Sequence, residues 1–378
     1  MSRIRHYVFM TSRTYKTIMI TYVIVPFIAA IAAMVLLWNS YIFATDLYLL
    51  LIFQTLSVLG ITIGYHRMLT HDGFKTFWPI RAFFTMCGCM ALEGKPLAWV
   101  ATHVKHHAHS DMEEDPHSPL EGVWHAHMGW LFSQDNFEDP KVYCPELTKD
   151  SIVMFFEKTY FVWVLGSFAI CYAVGGLTGF IWGGLVRVFL TTHITWSVNS
   201  ICHTFGGRDF ETTDESRNNW IVGLLAFGEG WHNNHHAFPR NVFHGMRWYQ
   251  FDLSGIILRG LEKTKLIWKV QRVGQPLLDA QRIKSKSMQQ KLSDLRLDLI
   301  ARIDDARVEL IVMQKKLPPK QLAQLRSAQE KTLKRLAEIQ LYLDKRKTIR
   351  KASMVRRQNE VALLITTAKA KMQGAKTA

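Results

Sequence analysis

The chain has 378 residues, long enough for two domains, with 46 Lys and Arg against 31 Asp and Glu and a formal charge of +15. Up to about residue 270 it is apolar, aromatic and rich in histidine; beyond that it is rich in Lys, Arg, Gln and Leu, with no Trp after Trp268 and no Cys. Basic residues without interleaved aromatics offer no stacking platform, which argues against nucleic acid, while basic charge beside apolar runs points to anionic lipid or an anionic head group.

A membrane-crossing helix needs about 20 mainly apolar residues. Residues 18–38 qualify, and a second run extends from Tyr41 or Leu47 to Gly64. Asn39 and Ser40 leave only a short turn, so these two runs form a hairpin. Residues 160–174 and 177–198 form a second apolar pair around Gly175 and Gly176. The last run holds Arg187 and His193, which are expected to face protein or water rather than lipid. Four spans place both termini on one side. Arg3, Arg5, Arg13 and Lys16 precede the first span and the long segments are basic, so termini and long segments are expected to be cytoplasmic. Two shorter apolar stretches, 77–92 and 220–227, read as interfacial or re-entrant helices. The first apolar run shows no small-residue cleavage site and reads as a span rather than a signal peptide.

From about Ser285, Leu292, Leu295, Leu299, Ile303, Ala306, Leu310, Met313 and Leu317 recur at spacings of three and four, Pro318-Pro319 interrupts, and a second run follows to about Arg350. The pattern predicts a C-terminal amphipathic helical hairpin. The boundaries read as a membrane-embedded domain over 1–280 and a basic helical extension over 281–378. The five cysteines are odd in number and form no CxxC pair, so neither a disulfide framework nor a zinc ribbon is expected.

Histidine is the residue that carries chemistry here. His66 and His71 form one cluster; His103, His106 and His107 a second; His232, His235 and His236 a third; His203 follows Asn199 by four. On a helix, residues i, i+3 and i+4 share a face, so HVKHH and HNNHH can each aim three imidazoles at one point. A lone histidine is more often a surface or core residue, and His6, His109, His125, His127, His193 and His244 are assigned so. The clusters are different: polar groups beside a membrane are costly unless paired or functional. Nine imidazoles exceed one tetrahedral site, so two metal ions are the simplest reading. Zinc performs no redox chemistry, whereas an open nitrogen-rich site suits iron and oxygen. A divalent-metal transporter is the competing reading, but transporters place ligands at the membrane midplane, and these histidines lie past the ends of spans.

Four segments in order, GYHRMLTHDGFKT at 64–76, WVATHVKHHAHSDMEEDPHSP at 99–119, TWSVNSICHTFGGRDF at 195–210 and GEGWHNNHHAFPR at 228–240, resemble the membrane-bound fatty acyl desaturases of the stearoyl-CoA desaturase type, with wording closer to bacterial and cyanobacterial members. The resemblance implies an all-α integral membrane protein, with four transmembrane helices and a cytoplasmic helical cap holding two iron ions. It implies as ligands His66, His71, His103, His106, His107, His203, His232, His235 and His236, with Asn199 reaching one iron through a water. Trp196 resembles a tryptophan near the acyl chain and its carbonyl end. Asp115 and His117 in DPHSP resemble a motif of the family, for which hydrogen bonds to ligand imidazoles are a sensible role; Glu229 and Asp111 are similar cases, with helix capping or an ordinary hydrogen bond as the alternative. The implied reaction is O2-dependent insertion of a cis double bond, at delta-9 by family default, into a saturated acyl-CoA, with an acyl group on membrane lipid as the second carrier. A di-iron hydroxylase or ketolase is the alternative within the enzyme class. The acyl pocket is expected between the second and fourth spans. No fused Rossmann, iron–sulfur or haem-binding pattern is found, so a separate electron donor is implied: a ferredoxin, rubredoxin or cytochrome b5 with its reductase. The expected location is the bacterial inner membrane, with active site and termini cytoplasmic.

Overall fold

The computed structural model describes residues 12–39, 41–132, 138–282 and Lys334. The chain separates into two units, Met1–Ile283 and Lys284–Ala378, and every described residue but Lys334 belongs to the first. The expected C-terminal hairpin and the N-terminal Arg3 and Arg5 lie outside the described residues.

The first unit is mostly helical. Helix α1 (Ser12–Trp38) is apolar on every side, and α2 (Ala44–Leu59) runs without a break into a π-helical stretch, Gly60–Thr70. Helices α3 (Trp78–Met90), α4 (Pro96–His109), α5 (Val123–His127) and α6 (Pro140–Tyr143) follow. A long helical run then comprises α7 (Ser151–Gly179), a second π-helical turn (Phe180–Val186) and α8 (Arg187–Cys202). The chain continues through α9 (Trp220–Leu225), α10 (His232–Ala237), α11 (Leu253–Lys263) and α12 (Gln275–Gln281). A two-residue strand β1 (Lys75–Thr76) pairs antiparallel with β2 (Ile267–Trp268).

Three stretches are long and apolar enough to cross a membrane: Arg13–Leu37, Ala44–Thr70 and Ser151–Cys202. One side of each leaves large apolar side chains uncovered, such as Ile28 (58 %), Leu51 (65 %) and Phe161 (63 %), which suits lipid and not water. The third stretch has 52 residues, roughly twice what a bilayer requires, and it is not straight. Gly176 has φ 59° and ψ −147°, a conformation essentially reserved for glycine, and the chain reverses there. Beyond the reversal Arg187 Nη2 donates to Ser167 Oγ at 3.0 Å, so residues 20 apart in sequence lie side by side.

Arg187 is buried, as its sequence position requires. Its guanidinium donates to Gly183 O, Met90 O, Ser57 Oγ and Ser167 Oγ and lies over the Phe168 ring. Four acceptors and an aromatic face replace the water it would otherwise bind. The two shorter apolar stretches are α3, with 13 residues, and α9, with six. Both are too short to cross. α3 packs one face on the π-helical stretch. A Cβ on Gly60 would lie 2.1 Å from Gly88 N, and one on Gly88 would lie 2.3 Å from the Tyr65 ring, so backbone meets backbone only because both residues are glycine. The main core gathers around this contact and includes Ile63, Tyr65, Met68, Phe84, Val100 and Leu258.

Candidate metal centre

The π-helical stretch explains the spacing of the first histidine pair. Hydrogen bonding from i to i+5 stacks residues five apart, and His71 N donates to His66 O at 3.1 Å. In an α-helix the same spacing would point the two rings apart. The stretch also carries His66 inside the apolar helix, which ends only at Thr70. The expectation that all nine histidines lie past the spans is therefore corrected for His66, because the helix continues beyond Gly64. His203 caps α8, one turn after Asn199.

The nine imidazoles form two groups. His66, His71, His103, His107 and His235 offer nitrogen atoms within 4.8 Å of one another, as do His106, His203, His232 and His236. Neither HVKHH nor HNNHH aims three rings at one point, contrary to the sequence expectation. His103 and His107 join the first group while His106 joins the second; His232 and His236 join the second while His235 joins the first. The reason is helical geometry: i+3 and i+4 fall on opposite sides of residue i and differ by about 100° around the axis. The i, i+4 pair shares one stripe and the i+3 residue crosses to the neighbouring group.

The ring nitrogens are sorted. Nε2 atoms converge, with His66 3.0 Å from His235, His107 3.1 Å from His103 and His232 3.0 Å from His203. The Nε2 atoms of His71, His106 and His236 are buried without a partner. Several outer nitrogens meet carboxylates: His66 Nδ1 with Glu229 at 2.5 Å, His106 with Asp115 at 3.0 Å, His203 with Asp111 at 2.9 Å and His236 with Asp214 at 2.6 Å. Inward free nitrogens backed by outward carboxylates are the arrangement of metal-binding histidines, so these residues fit a divalent metal. Burial, reinforced by neighbouring imidazoles, holds His71, His103, His107, His232, His235 and His236 well below the ordinary histidine value. They stay neutral, the form that ligates. Burial would raise Glu229, but His66, His244 and Arg67 outweigh it and keep the carboxylate ionised.

Asp111, Asp115 and Glu229 stand where their sequence context suggested. Asp214 is a carboxylate that sequence reasoning missed; TTDES carries no spacing that ties it to a histidine. His244, assigned as an ordinary histidine, is buried with its ring 4.5 Å from His235 and 5.4 Å from His66. Arg67 is fully enclosed and donates to Glu229 Oε1 and to both oxygens of Asp252.

Beside the histidines lies a mostly apolar cavity of about 660 Å³ that reaches His66, His103 and His232. Trp196 and Asn199 line it. The expected lining by the second and fourth spans is too narrow: α1 contributes Tyr22 and α7 contributes Tyr160. Glu93, also missed in sequence, is a carboxyl set into this apolar wall. It accepts from Trp99 Nε1 at 3.3 Å, and its Oε1 is buried without a partner. Burial pushes it up to about 8, against the opposing hydrogen bonds from Thr195 and Trp99. Trp99 also stacks on His103, with ring centres 5.0 Å apart.

A helical protein with membrane-length apolar stretches, a histidine-rich metal-binding site and an apolar cavity leading to it defines a membrane metalloprotein acting on an extended apolar molecule. The sequence pattern named fatty acid desaturase matches residues 44–261, and the chain belongs to that family. It is 36 % identical over 283 residues to the hex-5-enoyl-[acyl-carrier protein] acetylenase of Moorena producens, covering 69 % of this chain and 88 % of that protein. It is 38 % identical over 272 residues to the icosanoyl-CoA 5-desaturase of Limnanthes douglasii, covering 71 % and 75 %. The sn-1 stearoyl-lipid 9-desaturase of Anabaena variabilis is 38 % identical over 224 residues, covering 59 % and 82 %. The chain is thus an oxidoreductase acting on acyl-CoA or acyl-lipid.

Proposed function

We propose that this chain uses O2 to insert a cis double bond into a saturated acyl chain at two irons. The observation that carries the reading is the division of nine imidazoles into two close groups at the end of an apolar cavity. His66, His71, His103, His107 and His235 would hold one ion, and His106, His203, His232 and His236 the other, with Asn199 reaching it through a water. When bound, the irons supply the oxidant. The overall change converts –CH2–CH2– to –CH=CH–, and the two hydrogens removed combine with O2, two electrons and two protons to give two waters.

The protein's own residues position and exclude water. Trp196, Trp99 and Tyr160 give the cavity apolar walls that hold an acyl chain against the histidines. The carboxylates fix the rings. Delta-9 insertion and an acyl-CoA carrier are the proposed specificity, with acyl-lipid as the other carrier; acyl-CoA, acyl-lipid and acyl-carrier protein all appear in the relatives' names. The reversal at Gly176 supports four spans, with the helices that hold histidines capping the cytoplasmic face. A bacterial inner membrane, cytoplasmic termini and a separate acidic donor of ferredoxin, rubredoxin or cytochrome b5 type complete the reading. We also place the domain boundary near residue 280.

The test is the fatty-acid methyl ester profile of a host expressing the chain beside its His106→Ala variant. A new cis-monounsaturated acid that vanishes in the variant supports the reading and gives the bond position. A hydroxy acid instead assigns a hydroxylase, and full activity in His106→Ala removes the two-iron assignment.

A further inference from the structure

The two histidine groups are backed unequally. Behind the four-histidine group stand three carboxylates, Asp115 on His106, Asp111 on His203 and Asp214 on His236. Among the described residues these three form ion pairs with histidines alone. Behind the five-histidine group stands Glu229, on His66, and it shares the Arg67 guanidinium with Asp252. Two carboxylates and one guanidinium leave one net negative charge there, against three behind the other group. A carboxylate on the outer nitrogen fixes the ring and raises its basicity toward a metal.

One loop secures two of the three carboxylates. Residues 208–217 are closed at their base by Gly207 N to Asn218 O at 3.0 Å and the return bond at 2.6 Å. Within the loop, Asp214 Oδ1 accepts from Ser216 Oγ at 2.5 Å and Thr212 Oγ1 at 2.8 Å, which turns Oδ2 toward His236. The next residue, Glu215, donates its N–H to Asp111 Oδ2 at 2.6 Å, the oxygen that also holds His203. The loop is tied to α10 by Asn233 Oδ1, which accepts from Asp209 N at 2.7 Å and Phe210 N at 2.8 Å. The HNNHH segment therefore supplies rings to both groups and anchors the loop that orients one of those rings.

We propose that Asp214 is a positioning residue for His236, and that its loop makes the four-histidine group the tighter of two unequal cation sites. The proposal rests on the two-metal reading above, but it concerns affinity rather than turnover. The test uses the full chain, purified in detergent, stripped of metal and titrated with Co2+, with visible absorption and bound cobalt read together. The unaltered chain is expected to bind in two resolved steps. His203→Ala removes the tighter step and His71→Ala the weaker. Asp214→Asn weakens the tighter step by roughly ten- to a hundredfold and leaves the weaker within about twofold. Should Asp214→Asn lose its single elution peak, Ser216→Ala decides: it keeps the charge but removes one of the hydrogen bonds that orient the carboxylate, and a tighter step weakened by several-fold is expected. The proposal is overturned if the responsible variant leaves the tighter step unchanged, if both steps weaken together, or if His71→Ala removes the tighter step. Two cobalt ions bound with no response to Asp214 would sink this inference alone, whereas no cobalt bound at all would sink the two-metal reading with it.

Discussion

At the scale of single residues, the centre is built from charges that burial would ordinarily forbid. Arg67 is enclosed among protein atoms and survives because Glu229 and Asp252 both face it. Removing one partner of such a cluster leaves uncompensated buried charge and costs about 3–5 kcal/mol. Arg67→Leu is therefore expected to lower the denaturation midpoint strongly and to release metal, while Asp214→Asn, whose amide oxygen can still accept from Ser216 and Thr212, lowers it little; equal losses would contradict the distinction. Glu93 is the opposite case, an acid kept neutral in an apolar wall. Its value is raised from 4.5 to about 8, so the folded state binds the extra proton between these values. Stability from this group is complete at low pH and declines as pH rises through about 8. Acyl-chain affinity should fall on the same limb, because the ionised carboxylate faces the cavity. Glu93→Gln should remove that alkaline loss, measured as KM for the acyl substrate from pH 7 to about 9; an unchanged profile in the variant would assign the loss elsewhere.

At the scale of elements, the π-helical stretch Gly60–Thr70 does what an α-helix cannot: it puts His66 and His71 over one another while the helix stays apolar outside. Gly60 makes that geometry possible through its approach to Gly88 N. A methyl group there has backbone in its way, so Gly60→Ala is expected to destabilise by about 1–3 kcal/mol or more. It should also reduce metal retention, since the shift passes directly along the helix to His66; thermal denaturation and metal content check both. The contrast shows what a single sequence carries. The histidines, their i, i+4 pairing and the apolar runs were legible because each is a spacing read along one helix. The division of HVKHH and HNNHH between two groups was legible only in principle, since i+3 and i+4 diverge by about 100°, and the sequence reading merged them. The π-helix was not legible: no residue type demands i to i+5 bonding, and its close approach to α3 is a tertiary contact. Asp214 and Glu93 were invisible for the same reason, because their partners His236 and Trp99 are reached through tertiary structure.

At the scale of the whole molecule, metal retention is expected to depend on pH and on the last elements of the first unit. The clustered histidines are held well below 6.5 by burial and by one another. The unfolded chain takes up protons first as pH falls below that value, so stability and metal binding are complete above it and decline below. Metal content after dialysis should thus stay constant from pH 8 to about 6.5 and fall below that, whereas an alkaline loss would contradict histidine ligation. The C-terminal end of the first unit bears on the same site. Glu211 N donates to Gln281 O at 3.0 Å, and Phe210 bridges Arg282, so the end of α12 and the residue after it are fastened to the loop that carries Asp214. A chain ending after Ile283 keeps these bonds and is expected to retain its full metal content and its methyl ester product. A chain ending before Gln275 loses α12 and both bonds, frees one side of the 208–217 loop, and should lose the more tightly held ion first. If the shorter chain retains both ions, residues 275–283 are an edge of the unit without a role in its metal centre. If the longer one loses them, the membrane domain extends further than the boundary near residue 280.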